Sequence, residues 1–325
     1  MSAPLLEVDR LRVEFETRRG PLVALDDVSF VIAPGEVVGI VGESGAGKSL
    51  TGAAIIGLLE SPARISGGRI IFDGQRIDDL DPEAMRRVRG RRIGAIFQDP
   101  LTSLNPLYTI GDQLVETIRT HLDLSAPQAR ARAIDLLGEV GLAGAHRRID
   151  LYPHQFSGGM RQRVVIALAL CAGPALIIAD EPTTALDVSI QAQVIALLKS
   201  LCRAHGTAVM LVTHDMGVIA ECADRVAVMY AGRIVEIGPV NRVIHHPQHP
   251  YTRGLMCSIP AIGQGHSRLA QIDGSMPRLE AIPAGCPFHP RCDKVIERCR
   301  TERPGLVDTG TTHAACWLHV EGVNE

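Results

Sequence analysis

The chain has 325 residues, enough for a full α/β domain with room for a second, smaller unit. Aromatic residues make up only 3% while Ala, Val, Leu, Ile and Gly abound, which suits a parallel sheet covered by helices. A formal net charge of −3 provides no overall basic field and argues against nucleic acid as a partner.

Met1 to Arg10 lacks a basic stretch followed by an apolar core, so no signal peptide is read there. Leu5 to Glu36 alternates apolar and polar residues with turns at Arg19-Gly20-Pro21 and Ala33-Pro34-Gly35, predicting an antiparallel β region. Val37 to Val41 reads as a buried strand and Leu50 to Leu59 as a helix. Between them, Gly42-Glu43-Ser44-Gly45-Ala46-Gly47-Lys48-Ser49 fits the pattern of a phosphate loop. Backbone N–H groups of such a turn converge on an anion, and the following helix presents its positive dipole end. Lys48 would reach the β- and γ-phosphates and the Ser49 hydroxyl would bind Mg²⁺. The plainer alternative is a glycine-rich turn that happens to carry Lys-Ser.

Arg69 to Gly74 adds a strand and turn, and Gln98 follows a short apolar strand, Ile93–Phe97. The pattern then becomes helical, with helices predicted over Gln113–His121, Ala126–Val140 and Ser157–Cys171. The last opens on Phe156-Ser157-Gly158-Gly159-Met160, and a Ser-Gly-Gly helix start is another ready anion site. Two apolar strands, Ala175–Ala179 and Ala208–Val212, flank a helix around Ile190–Ala204 as a βαβ unit. The first strand runs into Asp180, placed to hold Mg²⁺, and Glu181, a candidate general base for the attacking water. His214 follows the second. Taken singly, Glu181 could be a salt-bridged carboxylate and His214 a satisfied loop histidine; their order after the phosphate loop favours chemistry. A hairpin is predicted from Arg225–Tyr230 and Arg233–Ile237 around Ala231-Gly232. The longest apolar run, Val164 to Ala179, is broken by Gly173-Pro174 and falls short of the roughly 20 residues of a membrane span. The chain is therefore expected to be soluble and cytosolic.

In this order the motifs resemble the nucleotide-binding subunit of an ATP-binding-cassette transporter, over about Leu5 to Pro239. The resemblance implies an α/β P-loop NTPase cassette over 1–239, with a mixed core sheet, an antiparallel β subdomain and a helical subdomain near 99–172. It also implies residue roles. Gly42, Glu43, Ser44, Gly45, Ala46, Gly47, Lys48, Ser49 and Leu50 would cradle ATP, with Phe15 stacked on adenine. Ser49, Gln98 and Asp180 would hold Mg²⁺. Glu181, His214 and Gln98 would serve hydrolysis, and Asp187 would be the D-loop aspartate. Ser157, Gly158 and Gly159 would be the signature that closes on a partner's nucleotide. Met160 and Phe156 depart from the usual Gln and Leu, and methionine offers little hydrogen bonding; activity is expected to survive. One copy of each motif implies a partner subunit, joined head to tail around two ATP molecules.

Two further stretches resemble the dipeptide and oligopeptide importers of that family. Phe97-Gln98-Asp99-Pro100-Leu101-Thr102-Ser103-Leu104-Asn105-Pro106 looks like the segment where a membrane subunit docks, although its prolines also favour a plain turn. His246-Pro247-Gln248-His249-Pro250-Tyr251-Thr252-Arg253-Gly254-Leu255 looks like their linker. Its prolines argue for an extended segment, with His245, His246 and His249 as weaker metal candidates. The tail carries Cys286, Cys292, Cys299 and Cys316, four of the 8 cysteines. Their spacing is loose for structural zinc and suits a [4Fe–4S] cluster, with zinc and free thiols as alternatives. The resemblance agrees with the cluster. Residues 240–325 are thus expected to form a linker and a small Cys-rich unit. Because these cysteines lie far in sequence from every ATP motif, changes there are expected to spare the phosphate loop. The implied partners are a homologous second ATPase in a heterodimer, two membrane permeases and an extracytoplasmic binding protein, with no nucleic acid. The implied location is the inner face of the plasma membrane. Nickel or another small solute is the alternative cargo, and a soluble cassette acting on DNA or ribosomes is the rival from another class.

Overall fold

The computed structural model describes residues 3–183, 187–258 and 272–320. They fall into two units: Met1–Leu5 with Ile32–Val37 and Asp79–Val212, and Leu6–Val31 with Val38–Asp78 and Thr213–Glu325.

The second unit contains the phosphate-loop pattern. Its first sheet runs in the order Gly20–Ile32, Leu6–Thr17, Ala63–Phe72, Gln75–Arg76. Leu6–Thr17 pairs antiparallel with Ala63–Phe72, from Leu6 opposite Phe72 to Phe15 opposite Ala63. The alternation that predicted this region is visible as burial, with Leu6, Val8, Leu11 and Val13 inside. A second, mixed sheet is built on Val37–Val41, all five residues buried, running parallel to Arg225–Tyr230. The hairpin to Arg233–Pro239 turns through Ala231 and Gly232, both at positive φ, as a two-residue turn between twisted strands requires.

The other unit holds the parallel strands Ile93–Ile96, Leu176–Asp180 and Ala208–Val212. Helices Ile110–His121 and Ala126–Glu139 each start in a reciprocal capping box, Thr109 with Asp112 and Ser125 with Gln128. Gly158–Leu170 follows, and Val188–His205 ends where Gly206 turns left-handed. Helix ends differ from expectation by a few residues. The helix after the phosphate loop spans Lys48–Ile55, starting earlier because Gly47 already adopts the left-handed cap conformation. The helix Pro82–Val88, capped by Asp81, was not expected from the pattern. Among the described residues no helix is long and apolar enough to cross a membrane.

The chain beyond Pro239 corrects two expectations. Instead of an extended linker it forms helices Val240–His245 and Pro250–Cys257. Pro250 occupies the first turn, where its missing N–H costs nothing. Nor is the Cys-rich tail a separate body, for it falls in the same unit as the phosphate loop. Its strand His313–Ala314 pairs with Arg233–Pro239, and Val307–Asp308 pairs with His313–Ala314 in turn. Glu236, fully buried, accepts the Gln248 and His249 N–H groups at 2.9 Å each and the Thr312 hydroxyl at 3.0 Å. A buried carboxylate needs such partners, and these tie helix and tail to one strand. A chain with 6 Phe, 4 Tyr and 1 Trp gathers Tyr230, Tyr251 and Phe288 here, with ring centroids 4.7 to 5.4 Å apart. The tail therefore shares a core with the sheet and needs none of its own.

Candidate functional site

Gly42 leaves the Val37–Val41 strand at φ 154, and a Cβ there would lie 2.3 Å from the Met229 carbonyl oxygen. Only glycine allows the loop to run this close to the neighbouring strand. The loop then curls around Lys48, whose ammonium is buried and donates to the carbonyls of Gly42 and Glu43 at 2.9 and 3.1 Å. A positive charge thus lies inside a ring of backbone at the start of a helix, which is the arrangement that attracts a polyphosphate. Ser49 is the next residue of that helix. Phe15 lies half-buried on Leu6–Thr17. His214 is exposed at the turn between Ala208–Val212 and the helix Met216–Cys222. The Thr213 N–H donates to Ile40 at 3.2 Å, fixing that turn to the strand that feeds the phosphate loop.

In the other unit, Asp180 ends the Leu176–Asp180 strand and Glu181 follows with φ 45, a left-handed conformation rare for a side chain with a Cβ. The Glu181 N–H is held by the Val212 carbonyl at 2.8 Å, so the strain is locked in by the adjacent strand. Gln98 donates from Nε2 to Glu181 Oε2 at 3.0 Å, joining two residues 83 positions apart. Ser157 caps the helix Gly158–Leu170, accepting the Met160 N–H at 3.4 Å. A Cβ at Gly159 would meet Ile190 at 2.9 Å, so a small residue is required where the Gly158–Leu170 helix passes Val188–His205. Asp187 precedes the latter helix and is exposed. In the segment Phe97–Pro106, Phe97 is exposed and lines an open groove of about 420 Å³ with Thr102, Val165 and Leu168. The side chains of Pro100 and Leu101 lie outside the described residues.

Two residues at the loop had no sequence signal. The Glu43 N–H donates to the Tyr251 hydroxyl at 2.9 Å, and the Glu43 carboxylate receives Arg291 Nη1 at 3.0 and 3.1 Å. These partners lie 208 and 248 positions away, beyond the reach of any local pattern. Burial pushes the Tyr251 and Tyr230 phenols above their ordinary value, so both remain neutral. Arg291 immediately precedes Cys292. The expected separation of the cysteine tail from the phosphate loop is therefore overturned: remoteness in sequence is not remoteness in space.

Cys286, Cys299 and Cys316 are buried and Cys292 is half-buried. Burial pushes the Cys286 and Cys316 thiols up to about 11 each, with the other cysteines adding to it, and Cys292 is raised by the same causes. All four thus sit close enough for their charges to act on one another. Among the described residues, however, no three His, Cys, Asp or Glu side chains gather as a site for a single metal ion. The histidine candidates fail individually too. His249 is fully buried and its Nδ1 accepts the Tyr251 N–H at 3.0 Å as the helix cap, while His245 and His246 are exposed. Cys171, Cys202 and Cys222 are buried as expected of small apolar residues, whereas Cys257 is exposed.

Comparison with known proteins gives concordant matches. Residues 25–184 match the model of the ABC transporter family, and residues 235–299 match the C-terminal region of oligopeptide/dipeptide transporters. The chain is 47% identical to the dipeptide transport ATP-binding protein DppD of Escherichia coli, covering 93% of this chain and 92% of that one. It is 46% identical to the oligopeptide transport ATP-binding protein AppD of Bacillus subtilis, covering 98% and 97%. Among solved structures it resembles the dimeric ATP-binding cassette MJ0796 in a post-hydrolysis state bound to ADP and Pi. The TM-score is 0.65 and the identity 30%, over 72% of this chain and 98% of that one.

Proposed function

This chain belongs to the ABC transporter family, among the ATP-binding subunits of dipeptide and oligopeptide transporters, and from that premise we propose how its residues work. It is an ATP hydrolase that energises peptide import, working with membrane permeases. The observation that carries the mechanism is the phosphate loop, with the Lys48 ammonium buried inside a backbone ring at a helix start. Gly42 to Leu50 form the cradle, Lys48 neutralises the β- and γ-phosphates, and Phe15 supports the base. A hydroxyl, a carboxylate and an amide oxygen, from Ser49, Asp180 and Gln98, are the hard donors Mg²⁺ prefers. When bound, the ion neutralises charge that develops on the phosphates. Glu181 acts as the general base, its carboxylate oriented by the 3.0 Å bond from Gln98, and His214 steadies the γ-phosphate. Asp187 reports to the partner subunit.

Ser157, Gly158 and Gly159 serve the nucleotide of a partner, whose own signature completes the site over Lys48. The dimeric state of the solved cassette supports this, and we assign the partner to a homologous second ATPase. Phe97 and its groove receive the permease, and a binding protein outside the membrane delivers peptide; the chain then lies on the inner face of the membrane. Residues 1–239 carry the cassette and 240–325 the accessory region. Cys286, Cys292, Cys299 and Cys316 would hold a [4Fe–4S] cluster, four cysteine thiolates being the ligand set such a centre takes. Such a group supplies the positive charge that lets buried thiols ionise. The test of function is peptide uptake into vesicles carrying the assembled transporter. Uptake should require ATP inside and disappear with Lys48→Ala; uptake that persists with that variant contradicts the proposal.

A further inference from the structure

We propose that Arg291 is a positioning residue for nucleotide, through which the Cys-rich tail holds the phosphate loop in its binding form. The inference rests on the reading of that loop as the ATP site. The loop carries three glycines at positive φ, Gly42, Gly45 and Gly47. Each glycine adds conformational entropy that must be lost before the loop's N–H groups can converge on a phosphate. Gly42 is pinned by its approach to Met229, and Gly47 by the helix it caps. Between them two residues are held from outside: Ala46, whose carbonyl accepts the Gly232 N–H at 3.0 Å, and, by its side chain as well as its backbone, Glu43. Its N–H is held by Tyr251 and its carboxylate by Arg291.

The guanidinium is built for this. Its side chain is 8% exposed against 28% for Glu43, so the pair is largely shielded from water. Nε donates to the Asp273 carbonyl at 2.8 Å and Nη2 to those of Ile272 and Gly274 at 3.3 and 3.4 Å. Those bonds fix the plane of the fork, leaving Nη1 aimed out of the tail at Glu43, with Tyr230 Oη at 3.4 Å. The Phe288 ring backs it, with the guanidinium carbon 6.0 Å from the ring centroid. A preorganised fork loses little entropy on pairing. A fold-only role for Arg291 would need the carbonyl contacts alone; the contact to Glu43 transmits the position of the tail to the loop.

The test is calorimetric titration of MgATP into the full chain carrying Arg291→Met, Glu43→Gln, both together, Arg291→Lys, or Lys48→Ala. Each of the first two should weaken binding about 3–10-fold, the net scale of one ordinary hydrogen bond. The double variant should be no weaker than the worse single, because both remove one interaction. Arg291→Lys should recover part of the loss. In turnover assays of Arg291→Met the KM for ATP should rise while the rate at saturating ATP holds. Wild-type affinity in Arg291→Met and Glu43→Gln, or losses that simply add, overturns the latch. If Arg291→Met does not fold, Glu43→Gln and Tyr251→Phe decide from the loop side, and wild-type affinity in both overturns it. Lys48→Ala separates the two readings: unaltered affinity there removes the ATP site itself, whereas loss there alone removes only the latch.

Discussion

His249 makes the stability of the region behind the phosphate loop depend on pH. Burial, followed by the nearby His319, lowers its pKa from 6.5 to about 3, so the folded protein keeps the imidazole neutral. The unfolded chain takes up a proton as pH falls below 6.5 and the folded chain does not. Stability present above that value is therefore lost progressively between about pH 6.5 and about pH 3, at about 1.4 kcal/mol per pH unit. From pH 7 to pH 5 this amounts to about 2 kcal/mol from one side chain. The residue also caps the helix Pro250–Cys257 that carries Tyr251, so its loss loosens the hold on Glu43. Asparagine can cap a helix without titrating. Urea unfolding of wild type and His249→Asn at pH 7 and pH 5 isolates the effect, because the other titrating groups cancel in the difference. The variant starts less stable at pH 7 from lost packing, but its further loss on acidification should be smaller by about 2 kcal/mol. Equal losses in the two proteins would refute the reasoning.

Gly42→Ala places a methyl group 2.3 Å from the Met229 carbonyl oxygen at a φ of 154, so it should abolish MgATP binding and lower the melting temperature; full binding would show that the loop can move aside. In the tail, protein purified without oxygen should be brown and contain iron and sulfide, and Cys299→Ser should bleach it and raise the emission of Trp317, the only tryptophan, adjacent to Cys316. Colourless anaerobic protein with one zinc per chain would refute the cluster.

The phosphate-loop strand, the hairpin at Ala231-Gly232 and the βαβ unit were legible because local chemistry dictates them. A buried apolar run, a turn that demands positive φ at two positions, and a helix between two short strands each carry their signal within a few residues. Helix ends were less legible, since Gly47 and Pro250 act through cap geometry that hydrophobic periodicity does not encode. The motifs of the candidate site could be picked out for the same local reason. The bond between Gln98 and Glu181 had no signal in the sequence, because it joins residues that follow two separate strands. What could not be read was how the tail packs. Its prolines and cysteines suggested an extended linker and a detached unit, yet Glu236 and the Tyr230–Tyr251–Phe288 cluster bind it to the sheet. Contacts at sequence separations of 208 and 248 leave no trace in composition or spacing.

The division of labour between Lys48 and Glu181 is the centre of the account, and paired binding and turnover measurements test it most directly. Lys48→Ala removes the buried charge from the cradle and should weaken MgATP binding. Glu181→Gln removes the base while leaving the cradle whole, so MgATP should bind as in wild type and hydrolysis should fall by a factor of about 10² to 10⁴. Equal loss of MgATP affinity in the two variants, or wild-type turnover in Glu181→Gln, would contradict it.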